Sequence, residues 1–270
     1  METRYEFIGV DGSRWPFDSL LCPVRLAETP TGLGGAPFKN QRIANARQAG
    51  ADWIGRDDDI NIIGLKVRLG PMRRGRPARQ VFRQWRKALG YADEVGEFHV
   101  YMGSEHFWQE VRAEELNKDP AVDLLDDIGW MEEQVKLASD LSWWFAPEVV
   151  ETFKPSEFVN PTITNEGDVD SFLRYEIAGP GKFTIGVGGD AVSLPQIGAG
   201  QKWLIDTDPE NPYIRNGSGA DVWQSVGVQR FRKPVPRSST TPILISSTLT
   251  NEATSRVKVT LPQLYRRGTG

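Results

Sequence analysis

The sequence predicts a mainly β protein with one or two helices. From Asp168 onward, short runs of β type alternate with Gly, Pro and Asn turns, and almost nothing has the spacing of a helix. About seven short strands separated by turns are typical of a β-sandwich or a barrel. In the first half, residues 61–69 alternate with period two, and one segment clearly repeats apolar residues at three and four positions.

Composition limits the class of protein. A chain of 270 residues with 39% hydrophobic residues can build one large domain or two medium ones. The net charge of −4 argues against a dedicated nucleic-acid-binding protein, which is normally basic. The only cysteine, Cys22, excludes an internal disulfide and a cysteine-rich metal site. Since neither a signal peptide nor an apolar run of the ~20 residues needed for a membrane span is visible, we expect a soluble protein made in a reducing cytoplasm.

The chain up to Leu69 predicts two β segments with a loop between them. Residues 4–24 alternate weakly around an Asp11-Gly12 turn, which suggests a hairpin because Gly supplies the positive φ that such turns need. Residues 29–37, rich in Pro, Thr and Gly, are expected to form a loop. Over residues 61–69 the apolar side chains alternate with smaller or charged ones, which predicts a strand.

The clearest helix lies between Pro77 and Gly90. Proline is tolerated in a first helical turn, and glycine commonly ends a helix in a left-handed cap. The apolar residues between them form one stripe: Ala78, Val81, Phe82, Trp85 and Leu89. The other face carries Arg79, Arg83 and Arg86, so we expect the stripe to pack on a sheet and the arginines to be exposed.

Two further segments precede the middle of the chain. Residues 97–112 predict a hairpin with its turn at Gly103-Ser104-Glu105, and its expected inner positions are Phe98, Val100, Phe107 and Val111. Residues 129–144 fit both a helix and a strand, and the resemblance described below favours the strand. The segment ends in an aromatic cluster that includes Trp143 and Trp144.

Residues 147–167, rich in Pro and Asn, link the two halves. We place the domain boundary near Pro155, which gives domains over 1–155 and 156–270. In the second domain we expect strands over 172–178, 182–187, 201–206, 212–216, 221–224, 242–249 and 255–262.

Two motifs resemble catalytic or cofactor-binding motifs but lack the secondary structure that such sites require. Asp206-Thr207-Asp208 follows an apolar strand and could hold Mg²⁺, but Pro209 and an Asn-Gly turn follow where an α/β fold would place a helix. We expect these carboxylates to accept hydrogen bonds from turn amides. The run Gly186–Ala191 matches a dinucleotide-binding string, but no helix follows it, so a Gly-rich hairpin is favoured.

The remaining residues do not support catalysis. The two histidines, His99 and His106, are too few for a zinc site, and no G-x-S-x-G motif occurs. Cys22 is expected to be buried and inert. The sequence therefore predicts no enzyme, no catalytic residues, no metal and no cofactor.

Charge is unevenly distributed along the chain. Residues 60–92 contain nine Lys or Arg and no acid, whereas residues 105–133 contain ten acids. Two solvated faces explain this pattern, and so do complementary faces of neighbouring copies in a head-to-tail ring. A nucleic-acid reading is weaker, because no aromatic platform accompanies the basic run.

A set of short motifs carries a resemblance over the chain. The second half contains Gly167-Asp168, Ile177–Pro180, Trp203–Pro209, Asn216-Gly217, Val222-Trp223, Arg230-Phe231 and Pro234–Pro236. The first half contains Phe7–Gly12, Arg47–Trp53, Asn61–Leu69, a helix with Trp85, the hairpin over 96–112 and Ser139–Trp144. In this order they resemble the siphophage distal tail protein family, in the form common among phages of actinobacteria. A proline that relatives commonly show in the last of these segments is missing.

The resemblance implies a structural virion protein. The N-terminal domain would be a β-sandwich with one helix and a projecting hairpin belt over about 96–112, and six copies would close into a ring at the tail tip. The C-terminal domain would be a galectin-like β-sandwich outside the ring. The ring would join the tail tube protein to the tail-associated or baseplate hub protein, around the end of the tape measure protein. Genome DNA would cross its lumen without specific binding, and no membrane is involved.

Candidate contacts follow for two kinds of partner. The subunit-interface candidates are Arg79, Arg83, Arg86, Trp108, Glu105 and Glu110, because tryptophan is enriched at interface centres and the charges are complementary. The alternative function is a carbohydrate-binding β-sandwich used in host attachment, with Trp203 and Trp223 as glycan contacts. That alternative requires both rings to be exposed and coplanar on one face.

Overall fold

The computed structural model describes residues 3–269 and divides the chain into two compact units. The first contains the chain up to Ala146 and again from Tyr265, and the second is Pro147–Leu264. The sequence places the boundary near Pro155, whereas the structure divides the chain inside a strand, Trp144–Phe153. Pro147 lies within this strand, so this proline does not mark the end of an element.

The first unit is built around an antiparallel sheet. Its strands and helices are β1 (Thr3–Ile8), β2 (Arg14–Pro16), β3 (Val24–Leu26), β4 (Phe38–Ile43), β5 (Asp52–Asp58), β6 (Asn61–Leu69), α1 (Arg76–Leu89), β7 (Gly96–Met102), β8 (Glu105–Leu116), α2 (Asp123–Asp127), β9 (Met131–Ser139) and the start of β10 (Trp144–Phe153). Hydrogen-bonded neighbours follow the order β2-β1-β7-β8-β9-β6-β3, while β4 and β5 pair only with each other.

Alternation along the strands builds the core of this unit. In β6, Ile63, Leu65, Val67 and Leu69 are all buried, as predicted. The hairpin β7–β8 is also confirmed, with Phe98, Val100, Phe107 and Val111 buried. Strand β9 resolves the ambiguous segment in favour of a strand, because Met131, Val135 and Leu137 are buried at alternate positions beside β6.

Helix α1 covers this core as its sequence predicts. It carries a proline in its first turn and ends at Gly90, whose φ of 70° is costly for residues with a Cβ. Trp85 is fully buried and packs edge-on against Phe7, Trp15 and Phe17 at centroid distances of 5.7, 5.3 and 6.1 Å. The helix is thereby fixed on the inner side of β1 and β2.

The second unit is a two-sheet β structure. Its strands are the rest of β10, β11 (Thr162–Asn165), β12 (Arg174–Ala178), β13 (Lys182–Val187), β14 (Val192–Ser193), β15 (Lys202–Asp206), β16 (Tyr213–Arg215), β17 (Ser239–Thr248) and β18 (Arg256–Tyr265). One sheet has the order β10-β18-β12-β15-β16, and the other has β11-β17-β13-β14. A single apolar cluster draws on strands of both, including Ile177, Phe183, Ile245 and Val259. This arrangement is a β-sandwich.

Some predicted elements differ from the structure. The strand expected over 221–224 is a 3₁₀ turn at Trp223–Val226, where only Val226 is buried and period-two burial is absent. The strands β4, β5 and β10 and the short helix α2 were not predicted. Among residues 3–269, neither α-helix has the length and apolarity needed to cross a bilayer.

Candidate functional site

The outward side of the hairpin β7–β8 carries a ladder of flat rings. Side chains alternate between the two sides of these strands, and His99, Tyr101, His106 and Trp108 lie on the side away from the core. Phe145 of β10 is the cross-strand partner of Trp108. Ring centroids lie 4.4 Å apart for Tyr101–His106, 5.0 Å for His106–Trp108 and 6.0 Å for Trp108–Phe145. We call these five residues the aromatic face. His99 is buried and the other four rings are partly buried, so the stack leaves part of each of these rings at the surface.

Hydrogen bonds hold the polar atoms of the aromatic face. His99 Nδ1 lies 2.8 Å from His106 Nε2, and His99 Nε2 lies 2.9 Å from a Glu97 carboxylate oxygen. Burial lowers the pKa of His99, although Glu97 opposes this effect, and burial also lowers the pKa of His106. Both rings are therefore favoured in their neutral form, which suits a stacked surface.

A buried carboxylate supports the same face from strand β1. Glu6 accepts two hydrogen bonds of 2.8 Å from the Arg14 guanidinium and one of 3.1 Å from the Tyr101 hydroxyl. The bond from Arg14 is the main reason that the pKa of Glu6 lies below its usual value. This network fixes the Tyr101 ring at one end of the ladder.

Acidic residues surround the aromatic face. Glu97 and Glu110 lie directly opposite each other in the register of β7 and β8, and Glu105 begins β8 at the hairpin turn. Like charges opposite each other in a sheet are destabilising. Glu110 is exposed and makes no ion pair with the residues that the structure describes. The face thus has an unpaired carboxylate at Glu110, although Arg4 lies over the Tyr101 ring at its other end.

The second candidate element is the hairpin β4–β5, which we call the arm (residues 38–58). Four large apolar side chains of the arm are more than half exposed: Phe38 at 51%, Ile43 at 52%, Trp53 at 62% and Ile54 at 53%. A two-stranded hairpin on its own is at best marginally stable in water. Exposed apolar side chains grouped on one element commonly mark an interaction surface.

Local contacts give the arm a defined surface. Trp53 Nε1 donates to Asn40 Oδ1 at 3.0 Å, and Trp53 pairs with Arg42 across the hairpin. At the base, the Arg56 guanidinium lies 3.8 Å from the centre of the Phe38 ring. These contacts place Phe38, Arg42, Trp53 and Arg56 on one side of the arm, which combines aromatic and cationic groups.

The arm corrects one expectation from the sequence. The hairpin over 96–112 lies inside a sheet, because β7 pairs with β1 along its length and β8 pairs with β10 at Trp108. The hairpin that pairs with no other strand of the described chain is the arm. Its sequence lacks a period-two pattern because both sides of the hairpin face solvent. The only sign of a strand in the sequence was the pair Trp53-Ile54 within a polar stretch.

The structure separates the predicted interface residues into two groups. Trp108, Glu105 and Glu110 lie on or beside the aromatic face, whereas Arg79, Arg83 and Arg86 lie on α1. The arginines do not form a free basic surface. Arg79 pairs with Asp126 at 2.6 Å, and Arg86 pairs with buried Glu133, so only Arg83 of the three has no partner among the described residues.

Ion pairs and a hydrogen bond join part of the basic run to part of the acidic run within the unit. Arg68 pairs with Glu132 at 2.6 Å across β6 and β9, and Arg74 donates to the Asp127 carbonyl at 2.9 Å. The partners of each pair lie far apart in the sequence, so nothing in the sequence indicated that these charges are paired. Part of the basic run is therefore a structural partner of the acidic one.

The glycan candidates are not two exposed platforms. Trp203 is only 7% exposed because β15 alternates Trp203 and Ile205 into the core. Trp223 is half-buried, contacts Phe231 edge-on at 6.4 Å and lies under the Arg230 guanidinium. A planar site that uses both tryptophans is therefore excluded by this structure.

The two motifs that resemble cofactor sites have structural roles. Asp206 accepts a hydrogen bond from the Asp208 amide at 2.9 Å, and Asp208 accepts one from the Glu210 amide at 3.0 Å, as expected of a turn. The Gly186–Ala191 run belongs to the hairpin β13–β14. Within residues 3–269, no group of three or more His, Cys, Asp or Glu side chains could hold a metal ion. Cys22 is buried, and burial raises the pKa of its thiol.

Comparisons with known proteins show solved structures with a similar fold. No protein-family model and no curated protein matches the sequence. Among solved structures, the chain is similar to the Dit protein (gp 19.1) of phage SPP1, described as a paradigm of the hub adsorption apparatus in phages that infect Gram-positive bacteria. That similarity has a TM-score of 0.70 and 10% identity over 98% of this chain and 99% of that chain.

Two structures of the phage P2 baseplate in its activated conformation are also similar. The structure with calcium gives a TM-score of 0.57 at 10% identity, over 97% of this chain and 98% of that chain. The structure with strontium gives 0.58 at 11% identity over the same shares. The mainly β, distal-tail-type fold implied by the sequence resemblance is thereby confirmed for both halves of the chain.

Proposed function

We propose that the protein is a structural subunit of a phage tail tip, whose copies close into a six-membered ring and perform no catalysis. The observation that carries the proposal is fold similarity over 98% of the chain to a hub adsorption protein of a phage. The sequence resemblance leads to the same class of protein from separate motifs in both halves. The proposal gives the exposed arm and the aromatic face a purpose, because neither surface has an evident role in a monomer.

Ring closure needs two different surfaces on each subunit. A contact between unlike patches of identical subunits is heterologous, and it generates a ring when the rotation between neighbours closes. The first unit offers two unlike surfaces, the arm with its exposed apolar side chains and the aromatic face with its stacked rings. We therefore assign ring formation to the first unit.

The ring's partners follow from the same proposal. It would sit in the virion at the tail tip, between the tail tube protein and the baseplate hub, and enclose the end of the tape measure protein. The second unit would be a galectin-like sandwich outside the ring that offers contacts to baseplate proteins. Genome DNA would pass through the lumen without specific contacts, which agrees with a net charge of −4.

The alternative, a carbohydrate-binding module, has less support. Sugar rings stack on exposed aromatic planes, and Trp203 is buried. Trp223 alone, partly covered by Arg230, would be a small platform. No feature of the second unit favours this function over a structural one.

Light-scattering mass of the purified full-length protein tests the proposal. Concentration-dependent assembly to six times the chain mass of 30.2 kDa is expected. The measurement should be repeated with purified tail tubes as a template. A monomer that neither assembles at high concentration nor joins the tubes would contradict the proposal.

A further inference from the structure

We infer that Asn216-Gly217 is a self-modification site, at which the loop after β16 promotes cyclisation of the Asn216 side chain and release of its amide as ammonia. Strand β16 ends at Arg215, and the loop that follows returns at Ala220. The reaction needs this chain and water alone, so the inference goes beyond the proposed function and does not depend on it.

Three hydrogen bonds converge on the side-chain oxygen of Asn216. Its Oδ1 accepts one from the Ser218 amide at 3.0 Å, one from the Ser218 hydroxyl at 2.7 Å and one from the Ala220 amide at 3.1 Å. When a nucleophile adds to the amide carbon, negative charge develops on this oxygen, and donors already in place stabilise that charge. Hydrogen bonds to a charged acceptor are stronger than those to a neutral one. The loop therefore favours the tetrahedral intermediate over the ground-state amide.

The backbone nitrogen of Gly217 is the nucleophile that the loop supplies. The hydrogen bond from the Ser218 amide folds the Asn216 side chain back over the peptide group that joins Asn216 to Gly217. The Gly217 amide donates no hydrogen bond to any residue that the structure describes, and Gly217 is exposed, so water can remove its proton. Glycine also has no Cβ to obstruct the approach of its nitrogen to the amide carbon.

The atoms and electrons of the reaction balance without an oxidant or a reductant. Water or hydroxide removes the Gly217 amide proton, the nitrogen forms a bond to Asn216 Cγ, and an electron pair of the C=O bond moves to Oδ1. The C=O bond then re-forms, and Nδ2 takes a proton from water and leaves as ammonia. The product is a cyclic imide, and water opens it at either carbonyl to give aspartate or isoaspartate.

The product changes the end of β16. Either form adds a negative charge to a chain whose net charge is −4. Isoaspartate also lengthens the main chain at a residue whose amide donates to the Ala220 carbonyl at 3.0 Å and whose carbonyl accepts from the Gly219 amide at 2.8 Å. These bonds close the loop just inside the bridge between Arg215 and Asp221. We expect the isoaspartate form to loosen this corner of the second unit.

Peptide mapping by mass spectrometry tests the inference on the full-length protein in mildly alkaline buffer. Asn216 should lose its amide about tenfold or more faster in the folded chain than in the same chain unfolded in guanidinium chloride. In the unfolded chain the Asn-Gly sequence acts without the loop, so the comparison isolates what the loop contributes. Equal rates, or slower loss in the folded chain, would overturn the inference.

Two other asparagines of the chain are internal controls. Asn251 Oδ1 accepts a single amide hydrogen bond from Ala253 at 2.8 Å, and Asn117 Oδ1 accepts one from Asp119 at 3.2 Å. Both asparagines are exposed, but neither is followed by glycine. They should keep their amides while Asn216 loses its own. Comparable loss at all three sites in the folded chain would mean that exposure sets the rate, which would also overturn the inference.

Substitution of Ser218 separates the effect of the donors from that of the sequence. Ser218→Ala removes the hydroxyl donor, so it should slow amide loss by about tenfold in the folded chain and leave the rate in the unfolded chain unchanged. The matched control, Ser218→Thr, keeps the hydroxyl and should keep the wild-type rate. Because Ser218 is exposed, neither change should affect folding, which thermal unfolding verifies. A folded Ser218→Ala protein that reacts as fast as the wild type would contradict the assigned role of the hydroxyl.

Discussion

Replacement of Arg86 by alanine should strongly destabilise the first unit, because it leaves the carboxylate of Glu133 buried without a cation. The Glu133 side chain is fully buried; it pairs with Arg86 and accepts a hydrogen bond of 3.1 Å from Trp85 Nε1. Removal of one partner of a buried ion pair costs about 3–5 kcal/mol. With a urea slope of about 2–3 kcal/mol/M, the unfolding midpoint should fall by about 1–2.5 M.

The dependence on pH gives this prediction a specific signature. Burial raises the pKa of Glu133 although Arg86 opposes this effect, and loss of Arg86 should raise it further. A carboxyl group with a raised folded pKa binds its proton more tightly in the folded than in the unfolded state. Stability is then lost as the pH rises through the folded pKa. The penalty of Arg86→Ala should therefore be smaller at pH 5 than at pH 7.

Urea unfolding monitored by tryptophan fluorescence measures both effects. The matched control is Arg83→Ala on the same helix, which removes an exposed arginine and should change stability by less than about 0.5 kcal/mol. Adding Glu133→Gln to Arg86→Ala should recover part of the loss, because no charge is then buried. An Arg86→Ala protein as stable as the Arg83→Ala control at both pH values would refute the reasoning.

Three further predictions concern the two candidate surfaces and the chain end. Because the folded pKa values of His99 and His106 are depressed, their contribution to stability is present above about pH 6.5 and is lost as the pH falls through the folded values. Unfolding free energies between pH 7 and pH 5 should decline in the wild type and decline less when both are glutamine. Trp53→Ser should leave the thermal midpoint within about 2 °C yet reduce assembly, as light scattering would show; a large loss of midpoint would mean that the arm supports the fold. Deletion of the residues after Leu264 should lower the midpoint of the first unit, because Tyr265 packs edge-on against Phe107 at 5.2 Å; an unchanged midpoint in calorimetry would contradict this.

Elements with a buried and an exposed side were predictable from the sequence. Strand β6 and helix α1 show this, because burial imposes a period of two on the former and a stripe on the latter. The cap at Gly90 was also predictable from residue type, because glycine adopts positive φ without strain. The burial of Trp203 follows the same alternation, with Ile205 two residues on, and the sequence contained enough information to predict it.

The arm and the charge pairs were not predictable for a common physical reason. An element exposed on both sides has no periodic pattern of apolar residues, so the sequence of the arm did not predict strands. The partners Arg79 and Asp126 are separated by 47 positions, and only the packing of α1 near α2 brings them together. The sequence therefore showed where the charges lie but could not show that some of them pair within one chain.

Electron microscopy with particle averaging of the purified full-length protein tests the central claim most directly. The account predicts closed particles with six-fold symmetry. Six-fold rings, formed by the protein alone or on tail tubes, would agree with the account. Uniform single subunits, at high concentration and in the presence of tail tubes, would contradict it.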